Sequence, residues 1–373
     1  MRIIVMTNRF GDVGTHPQLT GLALHLKQTG HDVHAISLAP TGSIAPMFAE
    51  VGIETEVIDA SRRGSFLAVV LGLASRFRHW RPEAVIAFLY ESIMPARLAG
   101  RLARVPIVIS SIRNEYFGRR YRELLIRLTQ PLSDATVVNS EIVAESLIRR
   151  QVATRKQLVV IPNAVDASRF RPSPKAREAM RRQSSIAAED FLWLSIGRLG
   201  EQKAYPTLLR AFVQVVEAHP RSKLLIAGRG PMHDELQSLI QRLGLQDSVS
   251  LLGYRDDVPE LLSTADAFVM ASRYEGMPNA MMQAMAAGLP VVGTNVGGMP
   301  ELVRDGVDGY IVPAGDPNTL AKEMVRLSTA TSDERGTMGS NGRTLIKERF
   351  TVDRVMDMWL DLIDDAGEAR ARR

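Results

Sequence analysis

Twelve short apolar runs, each four to seven residues long, recur along this chain with helix-patterned segments between them, and that alternation restricts the fold to βα units. The first six are IIVM (3–6), VHAIS (33–37), AVIAFL (84–89), PIVIS (106–110), ATVV (135–138) and LVVIP (158–162). A second series follows: FLWLSIG (191–197), KLLIAG (223–228), VSLLG (249–253), AFVM (267–270), LPVVG (289–293) and YIVP (310–313). Several lack polar alternation, as strands covered on both faces do. Between them, PTLLRAFVQVVEA (206–218) carries apolar side chains at Leu208, Leu209, Phe212, Val215 and Val216, one stripe of a helix. Two successive series predict an α/β protein of two doubly wound, Rossmann-like parallel sheets facing one another across a cleft. The length, 373 residues, also exceeds what a single core supports.

The junction is legible in IPNAVDASRFRPSPK (161–175), which has three prolines, polar turn residues and little periodicity. The reading is a first domain over 1–165 and a second over 166–351. A last helix, about 352–366, shows Val355, Met358, Trp359, Leu362 and Ile363 on one face and is expected to pack back on the first domain. The terminal GEARARR is charged and expected to fray.

The absence of cysteine excludes disulfides and suits a reducing compartment. The start, MRIIVMTNRFGD, turns polar too early for a signal peptide, and no run reaches eighteen apolar residues, so a cytoplasmic protein is expected. The net charge of +5 is one-sided: residues 1–168 hold 20 Lys and Arg against 14 Asp and Glu, which leaves −1 for the rest. A basic first half implies an anionic partner: a phosphate, an acidic membrane surface or nucleic acid. Neither zinc-finger spacing nor an aromatic RNA-binding motif occurs, so nucleic acid is not expected. Within RRGSFLAVVLGLASRFRHWR (62–81), Phe66, Val70, Leu73, Phe77 and Trp80 form a stripe between arginines. A second basic cluster holds Arg113, Arg119, Arg120, Arg122 and Arg127. Together they suggest peripheral attachment to an anionic membrane, although ordinary core packing explains the stripe equally well.

In open parallel sheets, ligands sit beyond the carboxyl ends of the strands. Four such loops stand out in the second half: GRLGEQK with Arg198 and Lys203, AGRGP (227–231), GYRDD (253–257) and SRYEGMPN (272–279). Two cations beside a helix start make a candidate diphosphate site. The stretch SRYEGMPNAMMQAMAAGLPVV (272–292) reads as loop, helix and strand, with Pro278 at the helix start and Gly288 and Pro290 at its end. Met281, Met282, Met285 and Ala286 make that helix apolar, so Glu275 just before it and Gln283 within it need a reason. A P-loop, a G-x-G-x-x-G after the first strand, a D-x-D pair and metal-ligand histidine spacing are all missing.

YEGMPNAMMQAMAAGLPVVGTNVGGMPELV (274–303), GRLGEQKAYPTLL, IPNAVDASRF and TGHDVHAIS together resemble the retaining glycosyltransferases of family 4, which have the GT-B fold, along nearly the whole chain. The resemblance implies transfer of a hexose-type sugar from a nucleoside diphosphate donor, UDP- or GDP-linked, to a glycan, lipid-linked or small-molecule hydroxyl. It implies no cofactor and no metal. Arg198 and Lys203 would hold the donor diphosphate and Glu275 the hydroxyls of the transferred sugar, and these three are the expected catalytic residues. Gly276, Met277, Pro278 and Asn279 would line sugar and phosphate, Gln283 would meet the ribose, and the loop at Arg255 the base. The chain departs from the family at three places. Gln283 replaces the second glutamate of the signature. The first-domain loop, FGDVGTHP (10–17), lacks paired glycines and leaves Gly14 for the close approach to the donor. SSIRNEY puts Arg113 and Asn114 where many members carry a histidine, so the acceptor side is assigned to Arg113, Asn114 and, in substitution, His16. Two other classes stay open: a non-catalytic nucleotide-sugar-binding subunit, and a nucleotide-sugar epimerase of the same fold.

Overall fold

The computed structural model describes residues 1–10, 16–40, 44–59, 65–114, 116–183 and 186–372. They form two compact units, Met1–Ala164 with Val352–Arg373, and Val165–Thr351. The first holds seven strands: β1 (Arg2–Thr7), β2 (Asp32–Ser37), β3 (Glu54–Val57), β4 (Ala84–Phe88), β5 (Ile107–Ile112), β6 (Ala135–Val138) and β7 (Leu158–Val160). The second holds six: β8 (Phe191–Ile196), β9 (Ser222–Ala227), β10 (Val249–Gly253), β11 (Ala267–Met270), β12 (Val291–Thr294) and β13 (Gly309–Val312). Each of the twelve predicted runs contributes a strand.

Both sheets are parallel and doubly wound, ordered β3-β2-β1-β4-β5-β6-β7 and β10-β9-β8-β11-β12-β13. In each, the chain steps outward from a central strand to one edge and then jumps back to that strand's other side. The switch points therefore lie between β1 and β4, with Val5 opposite Ile86, and between β8 and β11, with Phe268 opposite Leu194. Ligand crevices open at such points in this architecture.

Strand β3, sequence ETEV, is the one strand the apolar pattern does not announce. Among the described residues it pairs only with β2, and it carries acids on an edge, where charge blocks further strand addition. Glu56 pairs with Arg76, and Glu54 lies 3.6 Å from His34.

Two apolar cores cover the two faces of the first sheet. One gathers the helices Phe66–Trp80, Tyr90–Ala103, Arg120–Thr129 and Glu141–Arg149; the other gathers His16–Gln28 and Val352–Ala371. Trp359 of the last helix is buried against Phe88, with ring centroids 5.7 Å apart. That helix runs on to Ala371, into the charged tail expected to fray, where Arg370 donates to the Pro106 carbonyl and Arg372 pairs with Glu368 at 2.7 Å. The stripe within 62–81 is also corrected: Val70, Leu73 and Phe77 are core residues, so burial explains them, while Phe66, Leu67 and Leu71 are exposed instead. Arg97, fully buried, donates to Ser110, Ile126 O, Thr129, Gln130 and Thr136. Desolvation without a carboxylate partner pulls its pKa down to about 9.

Candidate functional site

The carboxyl ends of the second sheet are stitched into one platform. Gly197 N donates to Ala227 O at 3.0 Å, Leu199 N to Arg229 O at 2.9 Å and Gly228 N to Gly253 O at 2.7 Å, joining the loops after β8, β9 and β10. Across the switch point, Arg273 N donates to Gln202 O at 2.8 Å and Gln202 Nε2 to Tyr274 O at 3.0 Å. Gly298 N then donates to Gly276 O at 2.5 Å, tying in the loop after β12. Gly297 has φ +50°, and a Cβ there would stand 2.0 Å from Glu275 O, so the paired glycines let this turn press against the glutamate loop.

Glu275 and Lys203 meet on this platform. Lys203 Nζ lies 2.5 Å from Glu275 Oε1, with the two side chains only 17% and 8% exposed. Ser272 Oγ donates to the same oxygen at 2.7 Å, while Oε2 has, among the described residues, only Gln202 Nε2 at 3.4 Å. One carboxylate oxygen is thus left with acceptor capacity, and Lys203 with two of its three donors. Gln202 and Ser272 were not singled out from sequence; both lie inside quoted loops, but neither residue type signals a role by itself. The Tyr205 hydroxyl, buried beneath, donates to Gly197 O at 3.1 Å, and desolvation raises its pKa.

Arg198 is exposed on the same loop and makes no side-chain hydrogen bond or ion pair among the described residues. The helix Asn279–Ala286 begins behind Pro278 and buries Met281, Met282 and Met285. Gly276, Met277 and Pro278 are buried, whereas Asn279 and Gln283, four residues apart on one face, are half-buried. The Gln283 side chain has no hydrogen-bond partner among the described residues. Arg255 is forked onto Asp257, with Nε at 2.7 Å from Oδ1, and the fork holds the Asp257 carboxyl below its usual range. Its Nε and one terminal nitrogen are therefore engaged by a neighbouring carboxylate.

The remaining candidates belong to the first unit. The Arg113 guanidinium is buried, 5.1 Å from the Phe88 ring centroid and 5.6 Å from that of Trp359, and donates to Ile161 O and Asn163 Oδ1. It braces the core under the last helix rather than presenting an exposed cation. Asn114 Oδ1 accepts from Tyr116 N at 3.1 Å in a local turn. Gly14 and the His16 side chain lie outside the described residues.

Two family models match the chain: one described as Glycosyl transferases group 1 over residues 176–345, and one described as Glycosyltransferase Family 4 over residues 14–169. An Escherichia coli UDP-Gal:alpha-D-GlcNAc-diphosphoundecaprenol alpha-1,3-galactosyltransferase is 28% identical over 284 residues, 72% of each chain. N-acetyl-alpha-D-glucosaminyl L-malate synthase of Bacillus anthracis is 23% identical over 361 residues, 91% of each. Among solved structures, Anabaena HepE in complex with UDP superimposes with a TM-score of 0.85 at 21% identity, covering 98% of this chain and 100% of that one.

Proposed function

Because the chain belongs to the group 1 glycosyltransferases, with their GT-B fold, we propose that it transfers a hexose from a UDP- or GDP-sugar to a lipid-linked or glycan hydroxyl with retention of configuration and without a metal. The observation that carries this reading is the Lys203–Glu275 pair at the β8/β11 switch point, with Arg198 exposed on the same loop as Lys203 and without a side-chain partner among the described residues. Arg198 and the two spare Lys203 donors take the diphosphate oxygens, supplying the positive charge that a divalent ion provides elsewhere. The open oxygen of Glu275 accepts from hydroxyls of the sugar, and Asn279 and Gln283 face sugar and ribose. In the reaction the bond from the anomeric carbon to the diphosphate oxygen breaks as the acceptor oxygen bonds that carbon. The acceptor proton passes to the departing phosphate. The cations stabilise charge that grows on the leaving group, which is where fixed electrostatics accelerate a reaction most. The lipid-linked acceptor is suggested by the diphosphoundecaprenol substrate in the name of the E. coli relative and by the excess of basic residues in the first unit.

The test is incorporation of label from UDP- and GDP-hexoses into a bacterial lipid extract in excess EDTA, with release of free nucleotide measured in parallel. Acceptor-dependent nucleotide release is expected. Donor isomerisation without acceptor would assign an epimerase, and binding without release a non-catalytic subunit.

A further inference from the structure

The helix Arg120–Thr129, sequence RYRELLIRLT, is built inside out. At about 100° per residue, Leu124, Leu128, Tyr121 and Leu125 fall within one arc of roughly 100°, and Ile126 lies on the opposite side. Ile126 is the residue that enters the core, whereas Leu124 is 54% exposed, Leu128 65%, and Tyr121 and Leu125 are exposed with them. A helix packed on a domain ordinarily turns its apolar arc inward. Here the arc faces solvent.

Charge is arranged around that arc. Arg120 and Arg127 flank its edge and Arg119 precedes it; all three are exposed and carry no ion pair among the described residues. Two acids among the described residues nearby are already neutralised: Glu123 pairs with Arg150, and Glu91 with Arg122 at 3.0 Å, whose guanidinium also lies 4.6 Å from the Tyr90 ring centroid. Net positive charge therefore remains beside the leucines. In the same helix layer, Phe66, Leu67 and Leu71 are also exposed, on the helix Phe66–Trp80. No helix among the described residues is long and apolar enough to cross a membrane, so contact would be superficial.

We infer that the helix Arg120–Thr129 is a docking face for an anionic lipid bilayer, with Leu124, Leu125, Leu128 and Tyr121 entering the headgroup boundary and Arg119, Arg120 and Arg127 meeting lipid phosphates. The pattern is that of an interfacial helix, in which apolar area and basic charge add. A protein partner of ordinary surface would not call for three uncompensated arginines around the apolar arc. A second copy of this chain would bring the same arginines against them, an unfavourable juxtaposition for a symmetric contact.

The experiment is sedimentation of the full chain with vesicles of equal parts phosphatidylglycerol and phosphatidylcholine, and with phosphatidylcholine alone. The expected results are binding to the anionic vesicles at least tenfold stronger than to the neutral ones, and weakening by half a molar of salt. Leu124→Glu with Leu128→Glu, and separately Arg120→Gln with Arg127→Gln, should each lower binding at least tenfold while the thermal midpoint and UDP binding stay at parent values. Equal binding to both vesicles, no binding to either, or unchanged binding by both variants overturns the inference. So does a dimer in sedimentation velocity that the leucine variant abolishes, since the face would then belong to a second copy.

Discussion

Replacing Lys203 by methionine keeps most of the side-chain length and removes the charge, and the structure separates its two consequences. The ammonium lies 2.5 Å from a carboxylate that is itself only 8% exposed, so its loss strands Glu275 with Ser272 and a distant Gln202. Breaking one side of a buried ion pair costs about 3–5 kcal/mol. For a unit of this size that corresponds to a fall of about 6–20 °C in the thermal midpoint. Restoring neutrality with Glu275→Gln in the same chain should recover most of the loss, because the amide can still accept from Ser272 and no charge is left unpaired. Nucleotide binding should not recover, since the phosphate-facing ammonium is absent from both variants. Differential scanning calorimetry measures the first effect and titration with UDP or GDP the second. A single variant as stable as the parent would refute the burial argument. A double variant that binds nucleotide like the parent would refute the assignment of Lys203 to the phosphates.

Gln283→Glu should keep or raise nucleotide affinity, because a carboxylate accepts from ribose hydroxyls more strongly than an amide, while Gln283→Ala should lose roughly 1–3 kcal/mol by titration and nothing in thermal stability, having no partner to strand among the described residues. Arg97→Met removes five hydrogen bonds from a fully buried guanidinium and leaves several acceptors unmet, so urea unfolding should report a loss of about 3–5 kcal/mol. His34 and His31 both have pKa values lowered, first by burial. The unfolded chain therefore takes up protons that the folded chain refuses, and stability is lost as pH falls below about 6.5. His34→Gln should flatten that dependence between pH 7 and 5.5 in thermal melts.

Most of the architecture could be read because strands buried on both faces write themselves as unbroken apolar runs. ETEV of β3 escaped for the converse reason: an edge strand has one neighbour and carries the charge that keeps it an edge. The stripe at Phe66 and Val70 shows the limit of periodicity, which finds an apolar face but not whether it meets protein or lipid. Tyr121, Leu124 and Leu128 went unnoticed because three leucines and a tyrosine on a short helix look like core until Ile126 is seen to be the residue that is buried. At the site, charges within quoted loops could be placed on adjacent strand ends, yet their partnership could not. That Lys203 reaches Glu275 across 72 residues follows from β8 lying beside β11, a fact of sheet order rather than of any local pattern. Arg113 shows the opposite case, where a basic residue at a strand end is drawn beneath Trp359 by a helix that arrives much later in the chain.

The central claim is that two side-chain cations at the β8/β11 ends hold a donor diphosphate in place of a metal. Arg198 tests it most directly, because its side chain is exposed and bonded to nothing among the described residues, so Arg198→Ala should leave folding unchanged within about 0.5 kcal/mol. Calorimetric titration of UDP and GDP in excess EDTA should show binding by the parent chain and at least tenfold weaker binding by the variant, about 1.4 kcal/mol or more. Nucleotide binding that requires an added divalent ion, or an Arg198→Ala variant that binds as tightly as the parent, would contradict it.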